Sequence, residues 1–188
     1  MANNKRTMCL PPAAFVISLA LAGVVVLAGA AAATTTTHLR FYMHDTVTAA
    51  PGAGPATAVR VARGAAPLPG DPANRFGDTY AIDDPLTEAP GAASAAVGRA
   101  QGFYLFASRS EDKALLLCAD MVFTAGPHNG SAVSVLARDA ILDDVRELPV
   151  VGGTGAFRGA AGYGLLRTHS YNASTNNAVL RIDMYLKV

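Results

Sequence analysis

Two aspartates fall where a hydrophobic alternation would turn them inward. Asp45 ends the run FYMHD and shares its parity with Leu39, Phe41 and Met43. Asp139 ends SVLARD and shares its parity with Val133 and Val135. A carboxylate on an apolar face is costly unless it is paired or protonated, and burial raises its pKa. Two such groups on one cavity could supply a general acid and a general base. The plainer alternative is that each closes its strand and caps a turn at the solvent rim. Arg146 lies between Asp143-Asp144 and Glu147. It is either a solvated surface ion pair, worth little, or a partner for Asp139 across a loop, holding an anionic or phenolic oxygen. Tyr104 belongs to the cluster Phe103, Tyr104, Phe106. Such clusters usually fill a core; at a cavity wall the hydroxyl would hydrogen-bond a phenol while the neighbouring rings stack on it.

Other chemistries find no support in the pattern. The histidines at 38, 44, 128 and 169 lack the ligand spacing of a zinc site. In GGTGAFRG the glycines at 153, 155 and 159 are one residue too widely spaced for a dinucleotide fingerprint, and no βαβ unit surrounds them. No GxSxG nucleophile elbow occurs. The expectation is chemistry without metal, flavin or any other cofactor. A net charge of +1 with 15% charged residues provides no basic stripe for nucleic acid or acidic lipid.

The elements that must position these residues read as strands. His38 to Thr48 alternates and is broken by Pro51-Gly-Ala-Gly-Pro55. Ala58 to Ala62 is a weakly defined second strand, Ala65 to Asn74 a Pro/Gly loop, and Phe76 to Ile82 a third strand. Asp84 to Ala96 reads as a long loop over one end of the domain. Val97–Ser108, Lys113–Thr124 and Ser131–Asp139 follow, joined by polar breaks. The run VVGGTGAFRGAAGYG is too rich in glycine for an ordinary strand interior and reads as a tight bend before Tyr163–Ser170. Leu180, Ile182, Met184, Leu186 and Val188 then alternate cleanly to the end. About eight strands joined by turns give an all-β, antiparallel sandwich or barrel. A closed barrel leaves no edge and holds a small ligand in its mouth.

The first 33 residues read as a signal peptide. Lys5 and Arg6 precede an apolar run from Ala13 to Ala28, which leaves through small residues to Ala33. A retained anchor is the competing reading, since the run approaches the length of a bilayer span. Cleavage leaves residues 34–188 as one secreted domain with no membrane association. Cys118 is then its sole cysteine, so no internal disulfide can form, and its place in ALLLC reads as a buried core thiol. The sequons at Asn129 and Asn172 sit in polar turns and would carry glycans in a secreted chain.

FYMHD (41–45), DDPLTEAP (83–90), VGRAQGFY (97–104), FTAGPHNGS (123–131), SVLARD (134–139) and VRELPVVGGTGAFRG (145–159) together resemble the dirigent proteins of land plants, in order and in spacing. The resemblance implies an eight-stranded antiparallel β-barrel of the dirigent and allene-oxide-cyclase type, a homo-oligomer (trimer or dimer) secreted to the apoplast. It implies no oxidase activity of its own. A laccase or peroxidase would make phenoxy radicals from a monolignol such as coniferyl alcohol, and the barrel would set which faces couple in lignan or related phenylpropanoid biosynthesis. The alternatives are acid-assisted cyclisation or dehydration of a phenol through a quinone methide, an isomerase- or lyase-like activity, and a non-catalytic defence or binding role. The family's pocket residues match here at Asp45, Tyr104, Asp139 and Arg146, and Phe41 and Phe106 are expected on the substrate. Phe106 stands where the family carries a second tyrosine. Ala156 and Ala161 also depart from its pattern, which bears on the substrate more than on the mechanism.

Overall fold

The computed structural model describes residues 35–52 and 54–188; the signal peptide expected over residues 1–33 lies outside them. Eleven strands follow in chain order: β1 (Thr36–Asp45), β2 (Ala58–Ala62), β3 (Ala66–Leu68), β4 (Asp71–Phe76), β5 (Thr79–Thr87), β6 (Ala96–Phe106), β7 (Ala114–Phe123), β8 (Ala132–Ala140), β9 (Arg146–Thr154), β10 (Ala161–Asn172) and β11 (Asn177–Lys187).

Eight of them close into an antiparallel barrel, in the order β1-β11-β10-β9-β8-β7-β6-β5, with β5 returning to β1. The closing contact is short: Tyr42 pairs with Thr87 and Met43 with Leu86. Beyond it the two strands part, because the start of β2 enters between them. The Thr57 and Ala58 amides donate to the Thr46 carbonyl, while the Asp83 amide donates to the Thr57 carbonyl. β2 then pairs with the other half of β5, Ala58 opposite Ile82.

The two-residue period of each strand gives the barrel its inside. On β11, Leu180, Ile182, Met184 and Leu186 are buried, and on β7 so are Leu115, Leu117, Met121 and Phe123. Each large apolar side chain buried in this way contributes roughly 1.5–3 kcal/mol. Gly102 lets β6 lie against β7 at a bend, since a Cβ there would strike the Cys118 carbonyl.

The structure corrects four sequence expectations. The stretch from Ala65 to Asn74 is largely a small hairpin, β3 with β4, rather than a loop. The glycine run continues β9 through Gly152 and Gly153 to Thr154, with a bulge against β8 between Ser134 and Val135; only Gly155–Phe157 turns, as a 3-10 helix. Extended glycine backbone can hold a ladder without side chains to pack. β5 runs past Pro85 to Thr87, so Asp84 belongs to a strand and not to a loop. Cys118 is partly exposed on the outer face, between Phe103 and Leu136 in register, and is not a core thiol.

Candidate active site

The strand ends bring Asp45, Tyr104, Phe106, Asp139 and Arg146 to one cavity of about 470 Å³ at the barrel mouth. Met43, Leu117 and Leu180 form its apolar floor and wall. Phe41, expected on the substrate, does not line it: the ring is buried lower in the barrel, edge-on to Phe123 with centroids 5.9 Å apart. Asn129 is exposed at a turn outside the cavity lining, while Asn172 is exposed at the end of β10, next to Tyr171 on the cavity rim.

Asp139 and Arg146 meet because β8 and β9 are consecutive antiparallel strands joined by the short turn at 141–145. Arg146 Nη1 lies 3.2 Å from Asp139 Oδ1, with the two side chains 2% and 7% exposed. Arg146 Nη2 donates to Thr168 Oγ1 of β10 at 2.8 Å. Burial pushes the Asp139 carboxyl up, and the adjacent guanidinium pulls it back without fully cancelling the rise. Burial likewise lowers the Arg146 guanidinium, which the Asp139 charge opposes; an arginine remains cationic through that.

Asp45 has no salt-bridge partner among the described residues. Among the described residues its Oδ1 is buried without a hydrogen-bond partner. Burial above all, then the charges of Asp84 and Asp139, push its carboxyl well above the ordinary aspartate range. Asp84 is fully buried, and both of its carboxyl oxygens lack a partner. Burial pushes it up to about 7. Asp84 does not line the cavity itself. Sequence reasoning missed it by ending the third strand at Ile82. The signal was present: Tyr80, Ile82, Asp84 and Leu86 alternate, and all are buried.

The opposite wall is aromatic. Tyr80 and Tyr104 are register partners on β5 and β6, stacked with centroids 5.0 Å apart and planes 18° apart. Phe106 packs edge-on to Tyr80 at 6.4 Å. The Tyr80 hydroxyl donates to Asn74 Oδ1 at 3.3 Å. Burial, followed by the Asp45 charge, pushes the Tyr104 hydroxyl far above the usual tyrosine range, which keeps it a proton-bearing donor. Among the described residues no group of three or more His, Cys, Asp or Glu is placed to hold a metal.

These features define a closed β-barrel whose aromatic-walled mouth sets the ion-paired Asp139 beside the unpaired Asp45, with Asp71, Asp143 and Asp144 also on its lining. Such a mouth fits a small planar ligand whose oxygens exchange protons. The chain belongs to the dirigent family: the family profile described as "Dirigent-like protein" matches residues 36–187. It is 42% identical to Dirigent protein 21 of Arabidopsis thaliana over 80% of this chain and 76% of that protein. It is 39% identical to Pterocarpan synthase 1 of Glycyrrhiza echinata over 80% and 77% of the two chains. A solved pterocarpan synthase dirigent protein superposes with a TM-score of 0.73 at 39% identity, over 82% of this chain and 90% of that one. A pyocyanin demethylase shares the fold alone, with a TM-score of 0.51 at 12% identity over 80% and 99% of the two chains.

Proposed function

We infer that this dirigent-family protein binds a phenol in the barrel mouth and carries out acid-assisted dehydration or cyclisation through a quinone methide. The asymmetry between Asp45 and Asp139 on its lining supports the reading. Asp45, without a cation, is kept neutral and can donate; Asp139, also raised by burial but held by Arg146, is the more readily ionised of the two. For a phenol bearing a benzylic hydroxyl, Asp45 protonates that hydroxyl, the C–O bond breaks and water leaves. The Asp139 carboxylate takes the phenolic proton as the ring electrons form the quinone methide. A second hydroxyl then adds to the methide carbon and returns its proton to Asp45, while Asp139 returns its proton to the carbonyl oxygen. Both acids are restored and the net change is loss of water. Tyr104 and Arg146 orient the oxygens, and Phe106 with the stacked tyrosines orients the ring. Two relatives at 39% and 40% identity are named Pterocarpan synthase 1.

The second reading is stereoselective coupling of phenoxy radicals, such as those an external laccase or peroxidase makes from coniferyl alcohol. The planar Tyr80–Tyr104 wall favours it, since a flat platform fixes which face of a ring is presented. A preference of about 1.4 kcal/mol for one face gives roughly tenfold selectivity. We assign secretion to the apoplast after removal of residues 1–33, glycans to the exposed Asn129 and Asn172, and contact between copies to the outer face where Phe103, Cys118 and Leu136 lie side by side.

Paired incubations test the readings. The protein is given a phenolic benzylic alcohol without oxidase, and separately coniferyl alcohol with laccase, with chiral chromatography of both products. Water loss to one enantiomer in the first supports quinone-methide chemistry; enantiomeric excess only in the second replaces it with radical coupling.

A further inference from the structure

Asp84 has no part in the chemistry above, yet it is the least explained group in the barrel. Among the described residues it is fully buried, no salt bridge reaches it, and its carboxyl oxygens make no well-formed hydrogen bond, although the Thr57 hydroxyl stands close beside it. A buried polar group left in this way costs stability and calls for a reason. The barrel's closure supplies one. β1 and β5 pair Tyr42 with Thr87 and Met43 with Leu86. Carried two residues further, the same register brings Asp45 level with Asp84, at the point where Thr57 wedges the strands apart and removes the ladder between them. Both side chains have inward parity: Asp45 follows Phe41 and Met43, and Asp84 lies between Ile82 and Leu86.

We propose that Asp84 is a positioning residue for the reaction, forming with Asp45 a carboxyl pair that keeps Asp45 in its proton-donating form. This rests on the acid role assigned to Asp45. Asp45 touches the cavity and Asp84 stands behind it, shielded from substrate. Two carboxyls that share a site do not both ionise readily, so the pair binds a proton that an isolated aspartate would release. The Asp84 carboxylate holds the proton on Asp45 until substrate arrives; once Asp45 has given it to the leaving hydroxyl, repulsion within the doubly ionised pair draws the proton of the adding hydroxyl back to Asp45. No net proton is created or lost. The elevated proton affinities of both groups agree with this arrangement.

The groups facing the pair from each side are few, the first being the Thr57 hydroxyl, which with the more distant Arg99 charge opposes the rise of Asp84. Tyr80 stands on β5 and Tyr104 on β6, both acting as neutral hydroxyls, and Asp139 on β8 is tied to Arg146. Asp83 and Arg99 lie on the outer face and bind each other. None supplies a free cation to the interior.

The test is a carboxyl titration by NMR of protein carrying carbon-13 aspartate, run beside pH–rate profiles. In the wild-type protein, two carboxyls should titrate together, both above the ordinary aspartate range. In Asp84→Asn, Asp45 should titrate in one step, lower by about one pH unit or more. The alkaline limb of kcat should move down by the same amount, a loss of about tenfold on that limb with KM little changed. In Asp45→Asn the Asp84 carboxyl should move down in turn. Ordinary, independent titration of the two groups in the wild type would overturn the proposal, whether or not either variant folds. Coupled titration in a protein that does not dehydrate phenols would leave the pair standing and remove the function assigned to it.

Discussion

The mouth and the closed end of this barrel are made by the same alternation and are physically opposite. At the closed end Phe41, Met121, Phe123, Phe157 and Leu186 are all buried, with Phe123 and Phe157 in contact at 5.6 Å between centroids. Packing there is apolar. At the mouth the next inward positions carry Asp45, Asp84 and Asp139, with unpartnered carboxyl oxygens and a single arginine among them. One end stabilises the fold, and the other spends part of that stability to hold carboxyls where water would otherwise ionise them. Functional sites commonly carry such strain. In this barrel it is carried by ionisation and by backbone, since Lys113 and Asn176, both at the cavity, hold left-handed φ values of 48° and 57°.

Substitutions at the two ends should therefore separate rate from stability. The largest effect belongs to Asp45→Asn: if it is the acid, the dehydration rate falls by about 10²–10⁴, while the melting temperature stays level or rises. Phe157→Ala should do the reverse. The ring is fully buried against Phe123 and His128, and truncation should cost about 3–5 kcal/mol in denaturant unfolding with any residual activity unchanged per folded molecule.

The pH dependence of melting sharpens the contrast. The raised Asp45, Asp84 and Asp139 bind protons in the folded state that the unfolded chain, with aspartates near 3.9, releases. Their contribution is complete below about pH 4 and is lost as pH rises toward about 7. Asp183, packed among Arg40, His38 and Arg181 on the outer wall, is depressed instead. Its contribution is present above about pH 4 and lost as pH falls through the folded value. Melting temperature should therefore peak on the acidic side of neutrality and decline toward pH 8, a decline that Asp84→Asn flattens. A profile that rises from pH 5 to pH 8 would contradict the buried carboxyls. The smallest effect is Tyr80→Phe, which removes the hydrogen bond to Asn74. It should cost about 1 kcal/mol and leave the aromatic wall and its stacking in place.

Much of this was legible in the sequence because period-two alternation reports directly on which side a residue faces. Leu180 to Leu186 on β11 and Leu39 to Asp45 on β1 follow it without interruption, and the family motifs supply the barrel that alternation alone leaves open against a sandwich. The approach of Asp139 to Arg146 was readable as one possibility from seven residues' separation. Asp84 was not reached, since Asp83-Asp84-Pro85 carries the composition of a turn. β5 survives it because Pro85 needs no ladder bond where β1 and β5 diverge. Phe41 has the right parity but the wrong depth. Alternation gives a residue's face, while its height in the barrel depends on strand stagger, which no local pattern encodes. Cys118 failed differently: ALLLC is apolar on both parities, so the run could not say which side is inside.

The most direct test of the central claim, that the mouth works by carboxyl proton transfer, is the pH profile of kcat/KM for a phenolic benzylic alcohol in oxygen-free buffer without oxidase. The account predicts turnover with a bell-shaped profile, its acid limb set by the Asp139–Arg146 pair and its alkaline limb by Asp45 with Asp84. Asp45→Asn and Asp139→Asn should each lower it by about 10²–10⁴. Turnover that is flat with pH, or that is undiminished in both variants, would contradict the claim.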